Sequence, residues 1–392
     1  MANAGVELRL RKPLERSLAA GHPWIYRDAV DAFDAPAGTV ATVRDAKGRF
    51  LARGLVDGDA IAVRVFTTRD EALSDELISL RVERAMELRR AVVPAETDAW
   101  RVLHGEGDRL PGFVCDRYGD VAVLALDGPA AEAQWSRVHA ALREPLRSLG
   151  VRTILLRRRT PDGARIEVLD GAFDDDLRDV RERGMTLRAD LRRGQKTGLF
   201  LDQRESRARV RGIARGLRVL NLYAYTGGFS VAAGLGGAKA VTSVDIAPAA
   251  IELANATWAA NGCGSAVHEA VAADVPAWIA EATRARRRFD LVIADPPSFA
   301  PNDASVPAAM KSYRALHTAC LGLVAPGGFF LAGSCSSHVT REMFAESLMD
   351  AAVKAGRVVQ VVDVWGAPGD HPRLLAFPEG DYLKNSLLRM TD

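Results

Sequence analysis

The 392-residue sequence predicts an α/β protein in which a mostly parallel, doubly wound sheet follows two smaller modules. From about residue 185 onward, near-continuous apolar strands alternate with helical stretches of roughly 10–17 residues, which is typical of parallel sheets covered on both faces. Residues 6 to about 72 instead show short alternating apolar runs broken by glycine-containing turns. That second pattern indicates a small domain built mainly of β-strands.

Three segments follow from these patterns. Residues 1–73 are the β-rich module, residues 74–184 are a connecting helix with a small α+β module, and residues 185–392 are the doubly wound domain. Ser74 is the expected N-cap of the connecting helix, and Pro94 lies just beyond the end of that helix. The α+β module has the element order β, β, α, β, β and contains no constellation with obvious chemistry.

The doubly wound domain is expected to contain four strands, at Arg218–Ala224, Ala240–Ile246, Phe289–Ala294 and Phe329–Ser334. Five helices are expected around them, at Phe229–Leu235, Pro248–Asn261, Val275–Arg284, Ala308–Val324 and Arg341–Ala355. Ligands bind outside the carboxyl ends of the strands in such sheets. The residues that directly follow these strands are therefore the candidates for function.

Composition excludes several classes of protein. The chain has no apolar run near the ~18 residues that a membrane helix needs, and its first nine residues lack the apolar stretch of a secretory signal. None of the four cysteines forms a CxxC pair, so neither a zinc cluster nor a disulfide framework is indicated, and no metal is expected. We therefore expect a cytoplasmic protein with reduced thiols and no membrane partner. Cys115 is expected on a strand, Cys320 in a helix core and Cys263 on a surface loop.

The net charge of +2 points to no partner, but the basic residues are unevenly placed. Between Arg188 and Arg218 there are ten Lys or Arg residues against three acids. A local basic stripe of this kind suits a phosphate backbone. An arginine-rich solvated surface explains the charges on their own equally well.

The sharpest local signal for a cofactor is the turn after the first strand, Tyr223 to Ser230, which contains Gly227 and Gly228. Glycines at a strand-to-helix turn let a ligand approach the backbone near a helix N-terminus. Asp245 ends the next strand, where a carboxylate can accept both hydroxyls of a ribose. Because the three-glycine diphosphate fingerprint is absent, S-adenosylmethionine fits better than a nicotinamide cofactor. The alternative is a plain glycine turn with a helix-capping aspartate.

Two further strand ends carry residues suited to chemistry. Asp295-Pro296-Pro297-Ser298-Phe299 follows the third strand, where a rigid loop with acceptors could hold a planar base and Phe299 could stack on it. Cys335 follows the fourth strand and is a candidate nucleophile, although a cysteine is more often a small buried residue. Asp274 could lie beside an adenine or cap a helix, and His338 could be a base or a structural residue.

The sequence resembles the bacterial S-adenosylmethionine-dependent methyltransferases that form 5-methylcytosine in 23S ribosomal RNA, and matching stretches run nearly end to end. These stretches are highly specific only when taken together. They comprise Leu10-Arg11-Lys12-Pro13 with Gly21-His22-Pro23-Trp24-Ile25-Tyr26, Gly107-Asp108-Arg109-Leu110-Pro111-Gly112 with Asp116-Arg117, Gly194-Gln195-Lys196-Thr197-Gly198 through Leu201-Asp202-Gln203-Arg204, Tyr225-Thr226-Gly227-Gly228-Phe229, Asp295-Pro296-Pro297, Ser334-Cys335-Ser336, and Asp370-His371-Pro372 with Pro378 through Lys384.

The resemblance implies an N-terminal PUA-like RNA-binding domain, a middle domain and a Rossmann-like class I methyltransferase domain. It also implies Cys335 and Asp295 as catalytic residues and S-adenosylmethionine as the cofactor. The implied cofactor-binding residues are Gln203, Arg204, Tyr223, Tyr225, Thr226, Gly227, Phe229, Asp245, Ile246, Asp274, Asp295 and Pro296. The implied RNA-binding residues are Lys12, Arg192, Arg193 and Lys196. The implied partner is 23S ribosomal RNA or a large-subunit assembly particle, and a homodimer is left open.

One position departs from the pattern of related RNA cytosine-5 methyltransferases. Many of these carry a second cysteine after the Asp-Pro pair, whereas Pro297 is followed here by Ser298. Rival functions therefore stay open: methylation of a guanine amine or ring nitrogen through the Asp295 loop without a thiol, and a non-catalytic RNA-binding assembly factor. A nicotinamide oxidoreductase is a more distant third, because the phosphate-cradling glycines are missing.

Overall fold

A computed structural model describes residues 5–58, 60–160 and 163–392, and the chain forms two compact units. The first unit comprises residues up to Val180 together with Ala189–Leu201 and Gly369–Gly380. The second comprises Arg181–Arg188, Asp202–Pro368 and Asp381–Asp392. Residues 1–4 and Asp59 of the predicted β-rich module lie outside the described residues. The predicted three-segment boundaries stay a prediction.

The N-terminal part of the first unit is a five-stranded sheet of order β1-β3-β4-β5-β2, in which β1 pairs parallel with β3 and the other pairs are antiparallel. Alternate residues of β3 are buried, as the sequence pattern predicts for a half-buried strand. The elements are β1 (Val6–Arg9), α1 (Glu15–Ala19), β2 (Trp24–Tyr26), a 3₁₀ turn (Arg27–Ala29), β3 (Val40–Arg44), β4 (Phe50–Val56) and β5 (Ile61–Thr67).

The connecting helix and a second five-stranded sheet, of order β10-β9-β8-β7-β6, complete the folded core of the first unit. Ser74 caps the helix as predicted, because its hydroxyl accepts a hydrogen bond from the Leu77 N–H at 3.3 Å. The predicted order β, β, α, β, β misses one strand before its helix, because Gly119, with a φ of 62°, turns the chain and divides the segment before that helix into two strands. The elements are α2 (Asp75–Val92), β6 (Ala99–His104), a 3₁₀ turn (Gly105–Asp108), β7 (Phe113–Tyr118), β8 (Val121–Leu126), α3 (Pro129–Ser148), β9 (Thr153–Thr160) and β10 (Gly163–Asp170).

The chain continues with a two-stranded sheet and then forms the seven-stranded sheet of the second unit. The seven-stranded sheet has the order β15-β14-β13-β16-β17-β19-β18, with its first five strands parallel and the last two antiparallel to their neighbours. This confirms the mostly parallel sheet that the sequence predicts. The strands are β11 (Leu177–Glu182), β12 (Met185–Asp190), β13 (Arg218–Leu222), β14 (Ala240–Asp245), β15 (Val267–Ala272), β16 (Phe289–Ala294), β17 (Val324–Ser334), β18 (Val359–Trp365) and β19 (Lys384–Met390).

Helices cover both faces of this sheet, with one large apolar core on each side. The helices are α4 (Arg204–Ile213), α5 (Gly228–Leu235), α6 (Pro248–Asn261), α7 (Val275–Arg284), α8 (Val306–Leu323) and α9 (Arg341–Ala355), with short 3₁₀ turns at Leu201–Gln203, Asp303–Ser305 and Pro378–Gly380. None of the helices in the described part of the chain is long and apolar enough to cross a membrane.

The cysteines show one wrong prediction. Cys115 and Cys320 are completely buried, on β7 and α8, as predicted. Cys263, predicted on a surface loop, is instead buried at 7% exposure in the core beside α5. The reason is local: Gly262 ends α6 in the left-handed conformation and turns the chain back against Trp258.

Candidate active site

Four loops converge at one edge of the seven-stranded sheet. They follow β13, β14, β16 and β17, which are parallel and adjacent in the sheet, so their carboxyl ends share that edge. Tyr223 to Gly227 follow β13, Asp245 is the last residue of β14, Asp295 follows β16 and Cys335 follows β17. The structure therefore brings together the predicted cofactor loop and the predicted chemical residues at the place where such sheets bind ligands.

The loop after β13 has an unusual backbone. Tyr223 and Tyr225 adopt positive φ values of 58° and 47°, which cost free energy for residues with a side chain. Gly227 follows with a φ of 79° and caps α5, and a Cβ there would lie 2.9 Å from the Cβ of Ala254. Only glycine fits this approach of the loop to α6. Thr226 and Phe229 are buried, and Phe229 belongs to the apolar core on one face of the sheet.

The Asp245 carboxylate, at the end of β14, links this strand end to the loop after β13. Its carboxylate accepts hydrogen bonds from the Tyr225 N–H at 2.8 Å and from the Ala247 N–H at 3.0 Å. The neighbouring Ile246 is 67% exposed, as a residue flanking an open ligand site can be. A carboxylate held at a strand end beside a glycine turn and a helix N-terminus fits a nucleoside-bearing ligand without a diphosphate.

Asp274 is the N-cap of α7. Its carboxylate accepts a hydrogen bond from the Ala277 N–H at 3.0 Å, and the residue is exposed. The capping alternative is thus confirmed, and a position beside an adenine stays a prediction. Because β15 lies next to β14 and runs parallel to it, Asp274 follows a strand that ends at the same edge.

A relay of side chains holds the Asp295 carboxylate. Gln203 Nε2 donates to Asp295 Oδ2 at 2.8 Å, Ser206 Oγ donates to Gln203 Oε1 at 2.6 Å, and Trp365 Nε1 donates to Ser206 Oγ at 2.8 Å. A Cβ at Gly333 would lie 2.5 Å from Asp295 Oδ1, so the other carboxylate oxygen rests against bare backbone. Sequence reasoning placed Gln203 at the cofactor and missed Ser206, Trp365 and Gly333, which no local pattern marks.

Hydroxyl groups tie the Asp295 loop to the Cys335 loop. Ser298 Oγ lies 3.0 Å from Ser336 Oγ, and the buried Tyr313 hydroxyl lies 3.0 Å from Ser336 Oγ and 2.8 Å from Ser334 Oγ. Burial raises the pKa of Tyr313, so this phenol stays neutral. The Phe299 ring, predicted to stack on a base, packs against Tyr313 with ring centres 4.9 Å apart.

Cys335 is half-buried at the mouth of this network. Beneath it lies Lys384 of β19, which is 1% exposed and whose ammonium donates to the carbonyls of Ser336 at 2.5 Å and Val339 at 2.6 Å. Burial lowers the pKa of Lys384 to about 8. His338, the candidate base, points its Nδ1 toward Asp303 Oδ1 at 2.8 Å, so a role in proton removal stays a prediction.

The predicted RNA-binding residues are exposed but do not all lie together. Lys12 is in the loop after β1 and pairs with Asp28, whereas Arg192, Arg193 and Lys196 share the loop after β12. In that loop Arg192 pairs with Asp176 at 2.7 Å, and Lys196 Nζ lies 4.7 Å from the centre of the Phe200 ring.

The basic stripe from Arg188 to Arg218 is not one surface. Arg204 and Arg207 of α4 are buried at 1% and 5% exposure, and Arg207 makes two hydrogen bonds to Glu182 at 2.7 and 2.5 Å. Interpreting these two residues as a phosphate-binding or solvated surface is wrong, because they lie on the inward face of an amphipathic helix. The implied role of Arg204 at the cofactor stays a prediction.

Known proteins resemble the chain over nearly its whole length. A family model described as S-adenosylmethionine-dependent methyltransferase matches residues 140–374, and a PUA-like domain model matches residues 8–68. A ribosomal RNA large subunit methyltransferase of Deinococcus radiodurans is 37% identical over 98% of this chain and 97% of its own. Ribosomal RNA large subunit methyltransferase I of Serratia proteamaculans is 34% identical over 98% and 99%.

Two solved structures also match. One is a methyltransferase in complex with S-adenosylhomocysteine, with a TM-score of 0.88, and the other is a methyltransferase from Streptococcus mutans, with a TM-score of 0.87. Each is 24% identical and covers 98% of this chain and 100% of its own. At this identity the likeness establishes the fold, which agrees with the predicted doubly wound domain.

Proposed function

The chain belongs to the S-adenosylmethionine-dependent methyltransferases that include the large-subunit ribosomal RNA enzymes, and we propose that it forms 5-methylcytosine in 23S ribosomal RNA through a covalent bond between Cys335 and cytosine C6. One observation supports this chemistry above the others. The loops of Asp295 and Cys335 follow adjacent strands and are joined by the hydrogen bond between Ser298 and Ser336. A carboxyl group and a thiol so placed can act on one base.

S-adenosylmethionine is the cofactor of this family. The residues fit it, since the loop from Tyr223 to Gly227 lets a ligand approach backbone and Asp245 offers a carboxylate for ribose hydroxyls. When bound, the cofactor would supply an electrophilic methyl group on its sulfonium, and on loss of that methyl group its sulfur would keep the bonding pair as a neutral thioether. The roles of the remaining implied cofactor residues, including Arg204 and Asp274, belong to the proposal.

The thiol is needed because C5 of cytosine is a weak nucleophile. The Cys335 thiolate adds to C6, and the C5–C6 double-bond pair moves toward C5, which accepts the methyl group. The C5 proton then passes to a base, for which His338 and a water molecule are the candidates, the double bond re-forms, and the C6–S electron pair returns to Cys335. In its protonated form, Asp295 stabilises the adduct by donating a hydrogen bond to N3 and accepting one from the 4-amino group, and Gln203 orients its carboxyl group.

RNA must present the base outside a helix, since stacking blocks C6 in a duplex. The PUA-like domain and the residues Lys12, Arg192, Arg193 and Lys196 would contact the backbone rather than read sequence. We propose the division 1–73, 74–184 and 185–392 for RNA-binding, middle and catalytic parts. The proposed substrate is 23S ribosomal RNA, free or in an assembly particle.

The test is methyl transfer from labelled S-adenosylmethionine to unmodified 23S ribosomal RNA, followed by digestion and mass identification of the nucleoside. We expect 5-methylcytosine from the wild type and a loss of at least about 10³-fold in Cys335→Ala, the order seen when a nucleophile is removed. Cys263→Ala is the matched control and should keep its activity, because that thiol is buried away from the strand ends. Activity in Cys335→Ala, or a methylguanine product, would instead favour thiol-free chemistry at the Asp295 loop.

A further inference from the structure

The ammonium group of Lys384 is buried, and the proposed methyl-transfer reaction does not use it. Only 1% of the residue is exposed, although burying an ammonium group is costly unless it is well bonded. Its hydrogen-bond acceptors are two backbone carbonyls, those of Ser336 and Val339. A methionine of similar length would fill the same space without that cost, so the charge itself calls for an explanation.

The strand register places this charge at the candidate nucleophile. Lys384 begins β19 and pairs across the sheet with Ser334, the residue immediately before Cys335. The two carbonyls that it binds lie one and four residues after Cys335. The ammonium thus links the two ends of the turn that carries the thiol. These two carbonyls use two of its three N–H donors, and the third remains for a thiolate.

The charged groups around Lys384 leave a positive charge beside the thiol. Asp381 precedes β19 and Arg341 begins α9, and these two bond to each other twice at 2.7 Å, so their charges largely offset. Both act on the pKa of Lys384, and so does Cys335, whose negative form raises it. Asp295 is a further charged group near this thiol, since Asp295 and Cys335 both raise the pKa of the neutral Tyr313.

We propose that Lys384 is a positioning residue that stabilises the thiolate of Cys335 and holds the Ser334–Val339 turn in place. The inference rests on the proposed role of Cys335 as nucleophile. On ionisation the S–H bond breaks, its proton passes to solvent water, and the negative sulfur stays beside the ammonium. When the bond between Cys335 and C6 breaks, its electron pair returns to the sulfur, and the same ammonium stabilises the resulting thiolate. Lys384 itself neither gains nor loses a proton in this cycle.

The experiment measures the pH dependence of Cys335 alkylation by iodoacetamide, with peptide mass spectrometry to confirm the site. The three other cysteines are buried, which favours reaction at Cys335. Lys384→Met and Lys384→Gln remove the charge, and Gln keeps an N–H donor. Lys384→Arg keeps the charge. Lys354→Met, an exposed lysine on α9, is the matched control.

In both neutral variants we expect the thiol midpoint to rise by about one pH unit or more, which is roughly a tenfold slower alkylation at pH 7. In Lys384→Arg and Lys354→Met, the rate of Cys335 alkylation at pH 7 should stay within about threefold of the wild-type rate. The pH profile of methyl transfer should shift upward in parallel in the neutral variants. The proposal is overturned if Lys384→Met or Lys384→Gln still binds S-adenosylmethionine and its Cys335 thiol shows the same midpoint as wild type.

A loss of cofactor binding and a failure of the proposed function can each be distinguished from a failure of this proposal. If Lys384→Met no longer binds S-adenosylmethionine in calorimetry, the comparison of Gln with Arg decides the question, because both retain hydrogen-bond donors. The failure of the proposed function has a different signature. In that case Cys335→Ala would still methylate RNA, while the midpoint shift in Lys384→Gln would persist.

Discussion

The cofactor side and the chemical side of the active site are held in place in different ways. The cofactor side relies on backbone groups: Tyr225 and Ala247 donate their N–H groups to Asp245, and Gly227 turns the chain. The chemical side relies on side chains from distant elements. There, Trp365 acts on Asp295 through two intervening residues, and Lys384 supports the Cys335 turn.

This difference has consequences for mutation. A change on the cofactor side should weaken binding of S-adenosylmethionine because it alters the local backbone. A change on the chemical side should slow the reaction more than it weakens that binding, because it displaces groups that act on the base.

The first concerns Gly333 on the chemical side. Gly333→Ala would place a methyl group 2.5 Å from Asp295 Oδ1 and must displace the carboxylate. Because a shift near 1 Å at a reacting group can cost on the order of 10²-fold, we expect that loss in kcat with little change in S-adenosylmethionine affinity. Steady-state methyl transfer and calorimetry measure the two quantities. Gly322→Ala in α8, with open space around it, is the control; a Gly333→Ala enzyme of normal kcat would contradict the packing argument.

The second concerns Gly227 on the cofactor side. Gly227→Ala adds a Cβ 2.9 Å from Ala254 to a residue with a φ of 79°. We expect S-adenosylmethionine affinity to fall by roughly 10-fold or more, since about 1.4 kcal/mol of strain or displacement corresponds to a factor of ten. Gly262→Ala shares the positive φ but has open space around it, so it isolates the cost of strain. Equal affinities in Gly227→Ala and wild type would show that the close approach does not shape the site.

The third concerns the relay to Asp295. Trp365→Phe removes the hydrogen bond to Ser206 while keeping an aromatic ring, and Ser206→Ala removes the next link. One hydrogen bond contributes about 0.5–1.5 kcal/mol, so a fall in kcat of roughly 2–12-fold is expected in each. Affinity for S-adenosylmethionine should fall less than kcat does, and the double variant should lose no more kcat than the larger single loss. Additive losses would indicate two independent effects on the core rather than a relay.

The fourth uses the lowered pKa of Lys384 and is measured in a Cys335→Ala background, which removes the thiol titration. Since the pKa of about 8 in the folded protein lies below the unfolded value, the unfolded chain binds more protons above pH 8. Folding stability should therefore rise with pH, by about 1 kcal/mol between pH 8 and 9. Urea unfolding of Cys335→Ala against Cys335→Ala/Lys384→Met measures this difference. A constant difference across that range would mean that Lys384 does not titrate there.

Much of the second unit could be read from the sequence, because its central strands and its helices carry strong periodic patterns. Helices α6, α7 and α9 and strand β16 have the predicted bounds. Strands β15, β18 and β19 escaped prediction. The first two lie at the sheet edges with several exposed residues, and β19 buries Lys384, Asn385 and Ser386, which resemble a loop in a hydrophobicity pattern.

The amino-acid sequence was enough to predict the fold class, the glycine turn, and the strand ends at which Asp245, Asp295 and Cys335 lie. Such features depend on residues adjacent in the chain and on the rule that parallel strands end at one edge. The tertiary structure alone decided which side chains hold the reactive groups. Gln203, Trp365 and Lys384 come from three separate elements, and only the packing of helices and antiparallel strands against the sheet brings their polar atoms to hydrogen-bonding distance.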